Sequence, residues 1–105
     1  MSEVTKEYLE AIRFAARVDD EAFDDEIESL ILAAREELRL IGIKQEKCED
    51  EMDPQIKRAI IVFVRAEFGI ENADRDKYLQ SFESIKIRLA LADGYIDDSA
   101  AEVQS

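Results

Sequence analysis

The chain has 105 residues, of which 47% are hydrophobic; this suits one folded domain and excludes a disordered acidic tail. Its net charge of −12 disfavours binding to the nucleic-acid backbone and to anionic membranes, because both carry negative charge themselves. No apolar run reaches the roughly 18–20 residues that cross a bilayer, and residues 1–17 lack the apolar core of a secretion signal. Cys48 is the single cysteine, so an internal disulfide is excluded and a reducing compartment is expected.

Apolar residues at helical spacing predict two helices in the first part of the chain. The first is expected from about Thr5, which has the side chain of an N-cap, to Arg17. The second is expected from about Phe23 to Ile41, where the apolar residues form one continuous stripe. Acids in its first turn and arginines toward its end match the helix dipole, and Gly42 follows as a stop signal.

The third predicted helix follows a polar connection over residues 43–52. An Asp-Pro pair at residues 53–54 has the pattern of an N-cap followed by proline at the first helical position. The helix is expected to run to Phe68. Residues 59–64 are apolar on every face, which predicts the buried central helix of the fold, with Phe63 in the core.

The last predicted helix is capped by Asn72 or Asp74 and ends near Ala92. Residues 97–105 are acidic and small, and we expect them to be disordered in isolation. Strand-type alternation is absent. The sequence therefore predicts an all-α fold over residues 1–96, a small bundle of about four helices around a central apolar helix.

Charge is unevenly distributed along the chain. Six acids and no base lie between residues 19 and 26, whereas residues 54–69 carry three bases and one acid. Arg58 and Arg65 are seven residues apart and therefore share a helix face. Such bases pair either with acids of the second helix or with the acidic stretch of a neighbouring subunit. The candidate subunit-contact residues are Lys57, Arg58, Arg65, Asp19, Asp20, Glu21, Asp24 and Asp25.

Residues for catalysis, cofactor binding or metal binding are not indicated. The chain has no histidine, which removes the usual general base, and its three isolated glycines cannot form a phosphate loop. The acids of residues 19–26 lack the spacing of a calcium loop, so they form either a solvated connection or a weak site for divalent ions. Cys48 lies among acids, whose charge is expected to raise the pKa of its thiol and make it inert.

Three segments have an order and spacing that occur together in a known family. A short first helix is followed, at residues 18–34, by an acidic turn that enters a helix rich in Ile, Leu and Ala. Residues 53–61 open the central helix with Asp-Pro, and residues 78–95 form the last helix and close in Gly-Tyr. Together they cover about residues 5–96 and resemble the head–tail connectors of tailed bacteriophages, also called head-completion or adaptor proteins. The acidic connection at residues 43–52 departs from the Thr-Gly-type turn of many members.

The resemblance implies a structural virion protein without catalytic residues or cofactors. Its subunits would form a ring between the portal vertex and the tail of a long-tailed phage, and would extend the DNA channel after packaging. The implied partners are the portal protein, a downstream stopper or tail-completion protein, and further copies of the chain in a ring of about twelvefold symmetry. Membranes and sequence-specific nucleic acid are not among them, since DNA only passes through the channel. The protein would be found in the virion at the head–tail interface, and in the host cytoplasm before assembly.

A small acidic helical binding module is the alternative interpretation. Regulators and inhibitors of this kind use acidic helical surfaces, in some cases to mimic DNA. An enzyme is the weakest interpretation, because the chain lacks histidine. Portal and capsid genes beside the gene would favour the connector, and rings in electron micrographs of the concentrated protein would do the same.

Overall fold

The computed structural model describes residues 4–69 and 72–97. Within these residues the chain forms five α-helices and one 3-10 helix around a single core. They are α1 (Lys6–Ala15), the 3-10 helix (Glu21–Phe23), α2 (Asp24–Leu40), α3 (Gln45–Cys48), α4 (Pro54–Glu67) and α5 (Arg75–Leu91). The predicted all-α bundle is confirmed. Residues 98–105, most of the predicted acidic tail, lie outside the described residues.

Two of the predicted helix starts, those of α1 and α4, rest on side-chain caps that the structure contains, whereas Asp74 precedes α5 without a side-chain cap hydrogen bond. The Thr5 hydroxyl accepts a hydrogen bond from the backbone N–H of Tyr8, at 3.2 Å. Asp53 Oδ1 accepts from the N–H groups of Gln55 at 2.8 Å and Ile56 at 3.2 Å, immediately before Pro54. Both side chains satisfy N–H groups that have no partner within the helix, so each fixes the residue at which its helix begins.

Helix α4 is the centre of the bundle, as its apolar sequence predicts. It packs against α1 and α2 and also against α5, whose main contact is with α4. Its residues Ile56, Ala59, Ile60 and Val64 are fully buried. These side chains meet the apolar stripe of α2 and the inner face of α5, which together enclose the core.

The prediction that Phe63 lies in the core is only partly correct. Its ring packs against Phe82 of α5 with a centroid distance of 5.1 Å, but its side chain is only half-buried. Ile61 and Val62 are partly accessible in the same way. Helix α4 therefore keeps some solvent contact between its neighbours, although its sequence is apolar all round.

The connection between α2 and α4 was predicted to be a polar loop and contains the one-turn helix α3. Next to it, Ile43 and Ile96 form an antiparallel backbone bridge. Lys44 N–H donates to the carbonyl of Tyr95, and Asp97 N–H donates to the carbonyl of Gly42, both at 2.8 Å. Gly42 has a φ of +97°, a backbone conformation that strains other residues. This bridge holds the end of the described chain against the bundle.

None of the helices among the described residues is long and apolar enough to cross a membrane.

Candidate subunit-contact surfaces

Arg13 organises the turn between α1 and α2. Its side chain is buried, with 3% of its surface exposed, and Nη1 donates to the carbonyls of Val18 at 3.3 Å and Asp19 at 3.0 Å. Its Nε lies 2.9 Å from Asp24 Oδ1, an ion pair at an angle too oblique for a hydrogen bond. Asp24, one of the predicted contact residues, is therefore engaged within its own subunit.

Four other acids are among the predicted contact residues; one of them caps a helix, and three have no side-chain partner in the described chain. Asp20 Oδ1 accepts from the N–H of Ala22 at 2.8 Å and so caps the 3-10 helix. Asp19, Glu21 and Asp25 are exposed, and their carboxylates have no hydrogen bond or ion pair to the part of the chain that the structure describes. These three carboxylates remain available to a partner.

Two exposed aromatic rings accompany these acids. Phe14 is 60% exposed at the end of α1, and Phe23 is 42% exposed at the start of α2. Phe23 meets the ring of Phe68 edge to face at a centroid distance of 5.3 Å, so its orientation is fixed. We call the surface formed by these residues the acidic turn surface: Phe14, Asp19, Glu21, Phe23 and Asp25.

The predicted basic residues are not paired with acids of α2. Lys57 Nζ lies 6.0 Å from the ring centre of Tyr8, and the Arg65 guanidinium lies 4.7 Å from that of Tyr78. Arg58 is exposed. Among residues 4–69 and 72–97, none of these three bases forms an ion pair. The aromatic contacts occupy Lys57 and Arg65 within the subunit and leave Arg58 accessible.

Arg58 lines an open groove of about 360 Å³ between α4 and α5. Lys77 and Arg88 of α5 line the same groove, and Val62 and Ile85 contribute apolar surface. No carboxylate is among its lining residues. We call this the basic groove. Three cationic side chains, none of which forms an ion pair with a described residue, therefore lie close together on a protein whose net charge is −12.

Sequence reasoning missed Lys77 and Arg88. They are interspersed with Asp76 and Glu83, so a count of charges along the chain shows no basic segment. The available signal was positional. Lys77 and Arg88 are eleven residues apart, which places them on one face of a helix, whereas the neighbouring acids point elsewhere.

Asp53 links three parts of the bundle, a role that the sequence did not indicate. Besides capping α4, its Oδ2 accepts from the Tyr95 hydroxyl at 2.8 Å and lies 3.8 Å from Lys47 Nζ. Burial of the phenol and its bond to this carboxylate raise the pKa of Tyr95 to about 12. The C-terminal segment, α3 and α4 therefore meet at one nearly buried carboxylate.

Cys48 ends the one-turn helix α3 and is buried. Burial raises the pKa of its thiol to about 11, partly offset by the positive charges of Arg39 and Arg35. The expected direction of the shift was correct, but burial and not the acidic neighbours is its main cause. In the described residues, no group of three or more acidic or cysteine side chains is arranged to hold a metal ion.

A family model described as phage connector protein matches residues 5–96. The chain belongs to this family. The match spans every helix from α1 to α5 and ends at Ile96, in the backbone bridge with Ile43. It confirms the resemblance that the sequence showed and makes the protein a structural connector of bacteriophages, a class that acts with portal and tail components in the virion and is generally not enzymatic. Comparison of the connector with curated proteins and with solved structures gave no match.

Proposed function

We propose that the connector forms a ring between the portal vertex and the tail of a long-tailed phage, and that this ring extends the DNA channel after packaging. The observation that carries the proposal is the family match over residues 5–96, nearly the whole chain. The symmetry of the ring would follow the portal and be about twelvefold. The partners would be the portal on one side and a stopper or tail-completion protein on the other.

The physical properties of the chain support assembly. A domain of this size buries only about two thirds of its unfolded surface and gains stability from each subunit contact. Six large apolar side chains remain exposed on the described surface: Phe14, Phe23, Leu40, Met52, Ile87 and Leu91. Repulsion between protomers of net charge −12 opposes association of free copies, which favours storage as monomers in the host cytoplasm and assembly on a template.

The proposed role is mechanical and not catalytic. The chain has no histidine that could act as a general acid or base. The buried thiol of Cys48 keeps its proton at neutral pH, because its pKa is about 11. An acidic channel lining would repel the DNA duplex and let it slide. In the proposed acidic tail at residues 97–105, Asp97 is held to the helical domain through the Gly42 carbonyl, and residues 98–105 would form the separate part.

Co-sedimentation with purified portal rings tests this function. The connector should sediment with the portal at a ratio near one copy per portal subunit, and should remain slow-sedimenting without it. The acidic binding-module interpretation would replace the connector if the protein stayed unbound to portal at high concentration and instead bound a small host protein tightly.

A further inference from the structure

The geometry points to one specific subunit contact, in which the basic groove of one copy takes the acidic turn surface of the next. The inference rests on the proposed ring. The contact involves Lys77 and Arg88 together with Arg58 on the groove side, and Asp19, Glu21 and Asp25 on the turn side. Asp24 and Lys57 are not part of it, since Asp24 pairs with Arg13 and Lys57 faces the ring of Tyr8.

The basic groove has the composition of a binding surface for an acidic segment. Arg58, Lys77 and Arg88 line it without a carboxylate among its walls and without an ion pair to the rest of the described chain. Like charges held together in this way repel one another unless a partner supplies negative charge. Val62 and Ile85 add apolar surface between the cations. The volume of about 360 Å³ is at the low end for a ligand site and accommodates a few side chains of a protein partner.

A second copy carries the matching surface. Asp19, Glu21 and Asp25 are three exposed carboxylates without side-chain partners in the described chain, which equals the number of cations in the groove. Every copy presents both surfaces, so each groove would find one acidic turn at equal stoichiometry. Because the pairing places opposite charges next to one another, it also reduces the electrostatic free energy needed to bring acidic protomers together.

Exposed apolar residues add to the charge match. Ile87 is 62% exposed and Leu91 is 82% exposed; four residues apart on α5, they share a face, and Ser84 of the groove lies on that face one turn earlier. The acidic turn surface carries the exposed rings of Phe14 and Phe23. Contact between these apolar groups would add hydrophobic stabilisation to the subunit interface, which a charged rim alone does not provide.

The two surfaces lie on different parts of the bundle. The groove is formed by α4 and α5, whereas the acidic turn joins α1 to α2, and α5 packs mainly on α4. In the proposed ring the contact is heterologous: one surface of each copy meets a different surface of the next. Such a contact repeats from copy to copy and closes into a ring when the rotation per subunit permits it.

A charge-swap experiment tests the contact. The groove variant carries Arg58→Glu and Arg88→Glu, and the turn variant carries Asp19→Lys and Asp25→Lys. Each should fold, as circular dichroism would verify. Each alone should need a protein concentration at least roughly tenfold above wild type to associate, measured by sedimentation with and without portal rings. Mixed in equal amounts, the two variants should associate again, because both contacts between unlike copies then join surfaces of opposite charge: the substituted groove with the substituted turn, and the unchanged groove with the unchanged turn.

A matched control separates this contact from the effect of net charge. Lys6→Glu with Lys44→Glu changes the charge as much as the groove variant does, at bases outside the groove, and should assemble better than the groove variant. The wild type could form rings on the portal while the groove and turn variants form them equally well, or while mixing the two variants fails to restore association. Either result would reject the proposed contact and leave the proposed ring intact. If wild type binds the portal only as single scattered copies, the ring and this contact fall together.

Discussion

The hydroxyl of Tyr95 donates a hydrogen bond to Oδ2 of Asp53 across 42 residues of sequence. The same carboxylate caps α4 through its other oxygen, so one side chain joins the start of the central helix to the end of the described chain. The backbone bridge between Ile43 and Ile96 holds the segment that follows Tyr95. The end of the described chain is consequently held against the bundle by this bond and the bridge.

Replacing Tyr95 by Phe should destabilise the connector by about 1–2 kcal/mol, because a charged, nearly buried carboxylate loses one of its donors. Urea denaturation at neutral pH measures the change. Tyr78→Phe is the matched control: its ring lies under Arg65, its hydroxyl makes no hydrogen bond to the described residues, and the change should cost less than about 0.5 kcal/mol. Equal costs for the two variants would show that the bond to Asp53 contributes nothing.

Stability should fall in alkaline solution. Burial raises the pKa of Tyr8 from 10.0 to about 12, and burial together with Asp53 does the same for Tyr95. The unfolded chain releases these protons near pH 10, whereas the folded chain keeps them until about pH 12. The folded state therefore binds more protons within that window, and its stabilisation, present in full below it, is lost as the pH rises.

Urea unfolding at a series of pH values tests this dependence. Between about pH 10 and pH 12 the free energy of unfolding should decline more steeply in wild type than in Tyr95→Phe, which retains only one of the two shifted phenols. Parallel curves for the two proteins would contradict the assignment of Tyr95.

Adjacent isoleucines in α4 provide a test of the packing. Ile60 is fully buried, whereas Ile61 is partly exposed. Ile60→Ala should cost about 3–4 kcal/mol and Ile61→Ala about half as much, since the chemical change is identical and only the burial differs. Chemical denaturation of both variants gives the comparison. A larger loss at Ile61 would mean that α4 is rotated relative to its neighbours.

Arg13→Ala should destabilise the protein by about 3 kcal/mol. The change removes two hydrogen bonds to backbone carbonyls and the ion pair with Asp24, and it leaves both carbonyls short of a partner. Lys6→Ala, at an exposed position on the same helix, should change stability by less than about 0.5 kcal/mol. Thermal unfolding would distinguish the two, and similar melting temperatures would show that Arg13 does not hold the turn.

Features encoded locally were predictable from the sequence. The Thr5 and Asp53 caps act on residues two or three positions away, and the apolar stripe of α2 is visible without knowledge of its partner. The predicted ends of α1, α2, α4 and α5 consequently agree with those in the structure to within two residues. The one-turn helix α3 was missed because a segment of four residues carries too little periodicity to identify.

Features that depend on distant residues were not predictable. The basic groove exists only because α5 folds back along α4 and brings Arg88 to Arg58, thirty residues away in sequence. The division of the acidic stretch depends on Arg13 reaching Asp24, which no charge count reveals. The partial burial of Phe63 could not be predicted for a similar reason. An all-apolar segment indicates that a helix can be buried on every face, but the sequence does not show which of those faces other helices pack against.

Electron microscopy of portal rings with and without the connector would show whether the subunits form a ring on the portal. Class averages along the portal axis should show an added ring of density on the tail side, with the rotational symmetry of the portal and an open channel at its centre. The side view should show one further layer of subunits. Portal particles that look the same with and without the connector, or that carry single off-axis densities, would contradict the proposed ring.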